Sequence, residues 1–252
     1  MYLFPRLNKA HETRTNNSNA TCVERQHPSL SPHHYSDYMT LVRFGIIAVV
    51  ILTLAITAIV YPALPEEVPS HWNAAGEVDG YLPRLWGAAI VPLVMIPLTA
   101  LFFLIPRIDP LRENYRKFHP YYEGFILVFA LFFAIIQVQI LLWGIGIEIS
   151  PNIVIPPLFG ALFIYIGFLL DHAEPNWFVG IRTPWTMSSG NVWKKTHDLG
   201  GKLFKIAGIV SIVGVFFGSY ALWFCLVPVL LVAGYTVVYS YIQFQRERRS
   251  TG

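Results

Sequence analysis

Charge is scarce in this sequence. Asp, Glu, Lys and Arg make up only 13% of the 252 residues, hydrophobic residues make up 54%, and mean hydropathy is +0.50. An average soluble domain carries roughly 25% charge, so a soluble globule and a disordered chain are both excluded. Cysteine is scarcer still. Cys22 sits in a polar tail and Cys225 in an apolar run, which indicates neither a disulfide framework nor a cysteine zinc site. A net charge of +3 gives no basic stripe for direct contact with nucleic acid.

What is present is a set of long uncharged runs. Phe44–Tyr61 has 18 residues, Leu85–Pro106 has 22, Gly124–Ile147 has 24, Ile149–Leu170 has 22 and Ile206–Gln245 has 40. About 20 apolar residues of helix cross a hydrocarbon core, and forty would reach about 60 Å. The last run is therefore two crossings, with Gly218-Ser219 as the turn. Backbone polar groups in lipid must be satisfied internally, so the runs are helices. The expected fold is all-α: a polytopic membrane protein, a bundle of six transmembrane helices.

Lys and Arg set the expected orientation. All eighteen except Arg84 fall before span one, between spans two and three, between spans four and five, or after span six. The positive-inside rule then places both termini in the cytoplasm and the chain in the cell membrane. The first apolar run begins after about forty residues and reads as a retained anchor rather than a signal peptide. The expected organisation is a disordered cytoplasmic tail (1–40), a two-helix membrane domain with a structured outer loop (41–106) and a cytoplasmic linker (107–120). A four-helix membrane domain (121–245) with an inner loop at 171–202 and a basic tail (246–252) complete it. Met39 is a candidate start. The tail's two glycosylation sequons, at Asn16 and Asn19, lie on the inner side, and His33-His34 read as solvated.

The spans hold no Asp, Glu, Lys, Arg or His, and Gln137 and Gln139 are the most polar at depth. Ion-coupled transporters usually bury ionisable groups, so a small-molecule or lipid transporter is the second reading. Glu123 and Glu148, at the two ends of span three, read as wet interfacial residues. Pro92 and Pro97 are expected to kink span two, and Pro156-Pro157 to lie near the first turn of span four. Gly208, Ser211, Gly214 and Gly218 form a small-residue stripe, read as a homo-oligomer contact. A third reading, an enzyme at the inner interface, rests on Asp171, His172 and Glu174. No nucleophile, phosphate loop or zinc signature accompanies them, so no catalytic residues, metal or cofactor are expected.

Two loops are more than linkers. The outer one is stiffened by three prolines, ending at Pro69, and carries turn signals at Asn73–Gly76 and Asp79-Gly80. Pro69, His71, Asn73, Gly76 and Asp79 are its candidate binding residues, with Trp72 and Tyr81 expected at the headgroups. The inner one is rich in aromatics (Trp177, Phe178, Trp185, Trp193), which a freely solvated loop would not carry. It is expected to lie on the membrane or fold back on the bundle. Ser189 is a candidate cap for a short helix, with Val192, Thr196, Leu199 and Leu203 on one face. Arg182 is expected to pin the loop through a bidentate bond.

The inner segment N-W-F-V-G-I-R-T-P-W-T, followed by V-W-K-K-T-H-D-L-G-G, resembles the signature of the SdpI family of bacterial and archaeal membrane proteins. The outer segment L-P-E-E-V-P-S-H-W-N-A-A-G-E-V-D-G-Y resembles a domain of unknown function often found ahead of it. The resemblance implies a non-enzymatic protein of the toxin-immunity and signal-transduction type. It implies a membrane-active peptide toxin as partner outside and a transcriptional repressor docked inside, with the bilayer around the chain. Asn176, Gly180, Arg182, Thr183, Pro184, Trp185, Trp193 and His197 are the inner candidate binding residues.

Overall fold

The computed structural model describes residues 32–251. The tail before Pro32, with Cys22, its sequons and the first part of the expected disordered segment, lies outside the described residues. Pro32–Thr40, also read as tail, form the first turns of a helix. The elements run α1 (Pro32–Val60), β1 (Glu67–Trp72), β2 (Val78–Pro83), α2 (Arg84–Ile108), α3 (Tyr115–Gly144), α4 (Pro151–His172), α5 (Pro184–Ser188), α6 (Gly190–Val213) and α7 (Ala221–Thr251). Six of these are long helices. Gly190–Ser250 runs as one continuous helical segment of 61 residues, which as a single straight helix would exceed 90 Å. It is broken at Gly218, whose φ of +52° and ψ of −118° suit glycine and reverse the chain. Six crossings put both ends of the described chain on one face, called here the terminal face. The protein is a multi-pass membrane protein.

Large apolar side chains cover the outside of the bundle; Leu41, Ile59, Leu230 and Leu231 are each at least 67% exposed. In water such a surface would aggregate; in lipid it is the solvated surface. Polar groups point inward instead. Gln137 is fully buried and donates Nε2 to Thr57 Oγ1 (3.0 Å) and to the Ala88 carbonyl (2.9 Å), tying α3 to α1 and α2. Gln139 donates to the Ile149 carbonyl at 2.5 Å and holds the α3–α4 turn.

Prolines act differently from expectation. α2 continues through Pro92 and Pro97. The break falls in α3 at Phe118 (φ −125°, ψ 16°), just ahead of Pro120, which has no N–H to donate and crowds the preceding turn. Pro151 takes the first position of α4, and Pro156-Pro157 sit in its second turn.

α4 and α6 cross at their glycines. A Cβ on Gly160 would lie 2.7 Å from the Gly208 carbonyl, and one on Gly208 would lie 2.6 Å from that of Gly160. One turn-pair along, Gly167 and Gly201 repeat the relation at 2.6 and 2.8 Å. Backbone meets backbone only because neither side carries a side chain. Ser211 donates to the Ala207 carbonyl (2.9 Å) and lies 3.3 Å from that of Phe224, and Gly214 faces Phe224. The stripe read as a homo-oligomer contact is therefore used within the chain, because α4 and α7 occupy it.

The outer loop folds into an antiparallel hairpin, an addition to the all-α expectation. β1 and β2 pair from Glu67↔Pro83 to Trp72↔Val78, with irregular register at His71. Both strands are edges, so Pro69 and Pro83 are tolerated. Val68, fully buried with Leu64, Ala88, Val91, Ile140 and Leu141, plugs the hairpin onto α2 and α3.

Candidate functional site

The inner motif is a knot on the terminal face. Asn176 is its centre and is fully buried. Its Oδ1 accepts from the Phe178 N–H (2.9 Å), the Val179 N–H (2.6 Å) and the Tyr115 hydroxyl (3.1 Å). Its Nδ2 donates to the Glu174 (2.8 Å) and Val179 (2.9 Å) carbonyls. One carboxamide thus satisfies a whole reversal of the backbone. Asp109, also buried, accepts from the Trp177 N–H (2.9 Å) and the Leu111 N–H (2.7 Å) and lies 3.2 Å from the Tyr115 hydroxyl. Asn114 donates to the Pro175 carbonyl at 2.6 Å. The α2–α3 connection and the motif are therefore a single hydrogen-bonded unit.

His197 locks the second half. Its Nε2 accepts from the Ile181 N–H at 3.0 Å, while Nδ1 lies 2.9 Å from the Trp193 carbonyl. An accepting Nε2 and a donating Nδ1 specify the neutral Nδ1–H tautomer. Trp193 stacks on the imidazole (3.9 Å between centroids) and donates Nε1 to the Ala173 carbonyl at 2.8 Å. Gly180 has φ of +114°, and a Cβ there would fall on His197 Nε2. Gly180→Ala is therefore expected to lower the thermal midpoint of the solubilised protein, by an amount matching about 1–3 kcal/mol of backbone strain plus the displaced imidazole. Gly190→Ala, with open space around it, serves as the control, and intrinsic tryptophan fluorescence reports both.

Thr183 caps α5 in a reciprocal box with Thr186 (3.2 and 2.9 Å), and Pro184 takes the first helical position. Thr183 Oγ1 also reaches Ser240 of α7 at 3.0 Å. Trp185 packs edge-on to Tyr241 (5.1 Å). Ser189 caps α6, accepting from the Val192 N–H (3.2 Å) and donating to Glu247 (2.6 Å). The helix it caps is not short: α6 runs without interruption from Gly190 into span five, and Val192 and Thr196 are buried. Arg182 makes no bidentate bond among the described residues; its Nη1 donates to the Trp177 carbonyl. The motif thus divides. Asn176, Thr183, Trp193 and His197 are buried, Gly180 and Trp185 are half-buried, and Trp177, Phe178, Arg182 and Pro184 face outward.

Asp171, His172 and Glu174 do not converge. Asp171 pairs with Lys205 at 2.6 Å, His172 stacks on Tyr121 at 3.6 Å, and Glu174 lies 3.8 Å from Lys117. Glu123 corrects another expectation. It is 2% exposed, not wet, because Arg43 (2.6 Å) and His119 (3.3 Å) meet its Oε1. Glu148 is exposed.

On the opposite face the hairpin covers a recess of about 240 Å³. His71, Trp72 and Asn73 form its roof, and Gln139, Asn152 and Ile155 lie among its walls. Asn73 Oδ1 accepts from the Ala75 (2.9 Å) and Glu77 (3.1 Å) N–H groups, and His71 pairs with Asp79 at 2.5 Å. Gly76, at φ +84°, closes the turn. Two outer candidates, His71 and Asn73, therefore line the recess; Pro69, Gly76 and Asp79 shape the hairpin. Trp72 packs edge-on to Trp143 (5.7 Å), rather than lying wholly at the headgroups, and Tyr81 is 56% exposed.

These features define an α-helical multi-pass membrane protein with a hairpin cap on one face and a hydrogen-bonded motif knot on the other. Residues 172–240 match the SdpI/YfhL protein family, and residues 48–96 match a domain of unknown function, DUF1648. The SdpI/YfhL match thus follows the DUF1648 match along the chain. It is 26% identical over 201 residues to the immunity protein SdpI of Bacillus subtilis (strain 168), covering 79% of this chain and 94% of that protein. No solved structure matches.

Proposed function

We propose that this protein is a membrane immunity protein, protecting its cell against a membrane-active peptide that engages the hairpin face. The observation that carries the reading is the capped recess. It is mostly apolar, with polar groups of His71, Asn73 and Asn152 in its lining, and is roofed by a hairpin that Val68 anchors in the bundle. A concave apolar site with a few placed polar groups is what an inserted peptide side chain needs. Similarity to an immunity protein along nearly its whole length supports the same reading. The distribution of Lys and Arg turns the hairpin face outward and both termini inward. On the inner face Trp177, Phe178 and Arg182 are the exposed contacts for a cytoplasmic repressor.

The test is membrane potential in sensitive cells that express the full chain and are challenged with a membrane-depolarising peptide. Wild type is expected to hold the potential. Ile155→Trp, which fills the recess, is expected to lose at least tenfold in protective dose at equal membrane abundance, the cost of about 1.4 kcal/mol of lost binding. Ala75→Trp, outside the recess, is expected to protect as wild type does. Undiminished protection by Ile155→Trp would remove the recess from the mechanism.

A further inference from the structure

We infer that the corner between α1, α2 and α3 on the terminal face is a binding site for an anionic phospholipid. A cavity of about 450 Å³ opens there, lined by Arg43, Arg107, Glu123, Ile47, Phe103 and Ile126 among others. A second, of about 610 Å³, adjoins it across Pro106 and His119 and adds Arg112, Glu113 and Arg116. Together they make a trough with four arginines against two carboxylates.

Both carboxylates are already committed. Glu123 is held by Arg43 at 2.6 Å, and Glu113 by Arg116 at 3.3 Å. Arg107 and Arg112 have no ion-pair partner among the described residues, and both are exposed. Two uncommitted guanidiniums beside a committed pair attract a phosphate, which they recognise with paired N–H groups. The other wall is apolar. Ile47 is 51% exposed on the lipid-facing side of α1, so the trough continues from the headgroup level into the hydrocarbon region. A molecule with a phosphate at one end and acyl chains at the other matches both walls.

The headgroup chemistry follows from the arginines. A glycerol headgroup leaves the phosphate charge uncompensated for Arg107 and Arg112 to meet, whereas choline neutralises it and adds a cation beside four arginines. The site therefore favours a phosphatidylglycerol-type lipid over phosphatidylcholine.

The full chain in detergent, titrated with each lipid and examined by native mass spectrometry, tests this. Wild type is expected to retain one phosphatidylglycerol and to discriminate against phosphatidylcholine. Each arginine near a membrane surface contributes about fivefold in affinity, so Arg107→Gln with Arg112→Gln is expected to weaken retention about 25-fold. Lys194→Gln with Lys195→Gln, on the same face, is expected to leave it unchanged. Raising the salt on wild type alone is expected to erase the preference, a reading that stands if the double variant fails to fold. Equal retention of the two lipids, or full retention by a folded double variant, would overturn the proposal. So would glycerol phosphate binding as tightly as phosphatidylglycerol, since the site would then belong to a soluble phosphate.

Discussion

Replacing Asn176 by alanine is expected to unfasten the inner motif and cost several kcal/mol. The carboxamide accepts three hydrogen bonds and donates two in a site with no solvent access. Alanine leaves the Phe178 and Val179 N–H groups and two carbonyls without those partners. Each buried group left unpaired costs roughly 1–3 kcal/mol, so even partial rescue by water leaves a loss of about 4 kcal/mol. That is a large share of a total near 5–15 kcal/mol. Asn176→Asp separates the contributions. It keeps the three acceptor contacts, loses the two donor contacts and places a second carboxylate near Asp109, so it too is expected to destabilise strongly. Tyr115→Phe is expected to cost only about 1 kcal/mol, because one hydroxyl proton is shared between Asp109 and Asn176. Thermal unfolding of the solubilised protein, followed by the fluorescence of Trp177, Trp185 and Trp193, reports the order. A Tyr115→Phe loss equal to that of Asn176→Ala would move the centre of the knot to the tyrosine.

This knot shows what was legible in the sequence and what was not. The spans were legible because lipid imposes one demand, long uncharged helix, and Gly218 was legible as the only sensible break in forty residues. The motif residues stood out by type, but their roles did not. Aromatic residues near a membrane suggest surface, yet Trp193 is interior because its N–H reaches the Ala173 carbonyl. Asp109 and Tyr115 gave no sign of belonging to the motif, since the motif groups they meet, Trp177 and Asn176, lie more than sixty residues away. Glu123 misled for the same reason: the nearer of its two partners, Arg43, comes from a helix 80 residues earlier. The hairpin was hidden by prolines in both strands and by the absence of alternating apolar residues. Its single deep anchor, Val68, does not make a pattern. Composition and periodicity report what a residue meets on its own element or in the solvent. They are silent on which distant element arrives to neutralise it.

The glycine stripe is the sharpest case, because sequence and structure assign it to different partners. Gly208→Leu is expected to force α6 away from α4. The new Cβ would meet the Gly160 carbonyl at 2.6 Å and the Ile164 N–H nitrogen at 2.9 Å, and backbone cannot rotate aside as a flexible side chain can. Overpacking a tight core costs about 1–3 kcal/mol, and more where nothing can yield; a leucine at a backbone–backbone crossing belongs at the upper end. Gly234→Leu on α7 has nothing within 4 Å and is expected to be nearly neutral. The motif knot should loosen along with the crossing, because α6 begins at the Ser189 cap and carries Trp193 and His197. The Gly208→Leu protein is therefore expected to unfold earlier and to show exposed tryptophan before global melting. Its detergent-solubilised mass is expected to stay that of wild type, since the stripe already has its partners within one chain. A drop in mass with unchanged stability would give the opposite assignment: two copies of α6 would meet each other, and the crossing with α4 would tolerate the leucine.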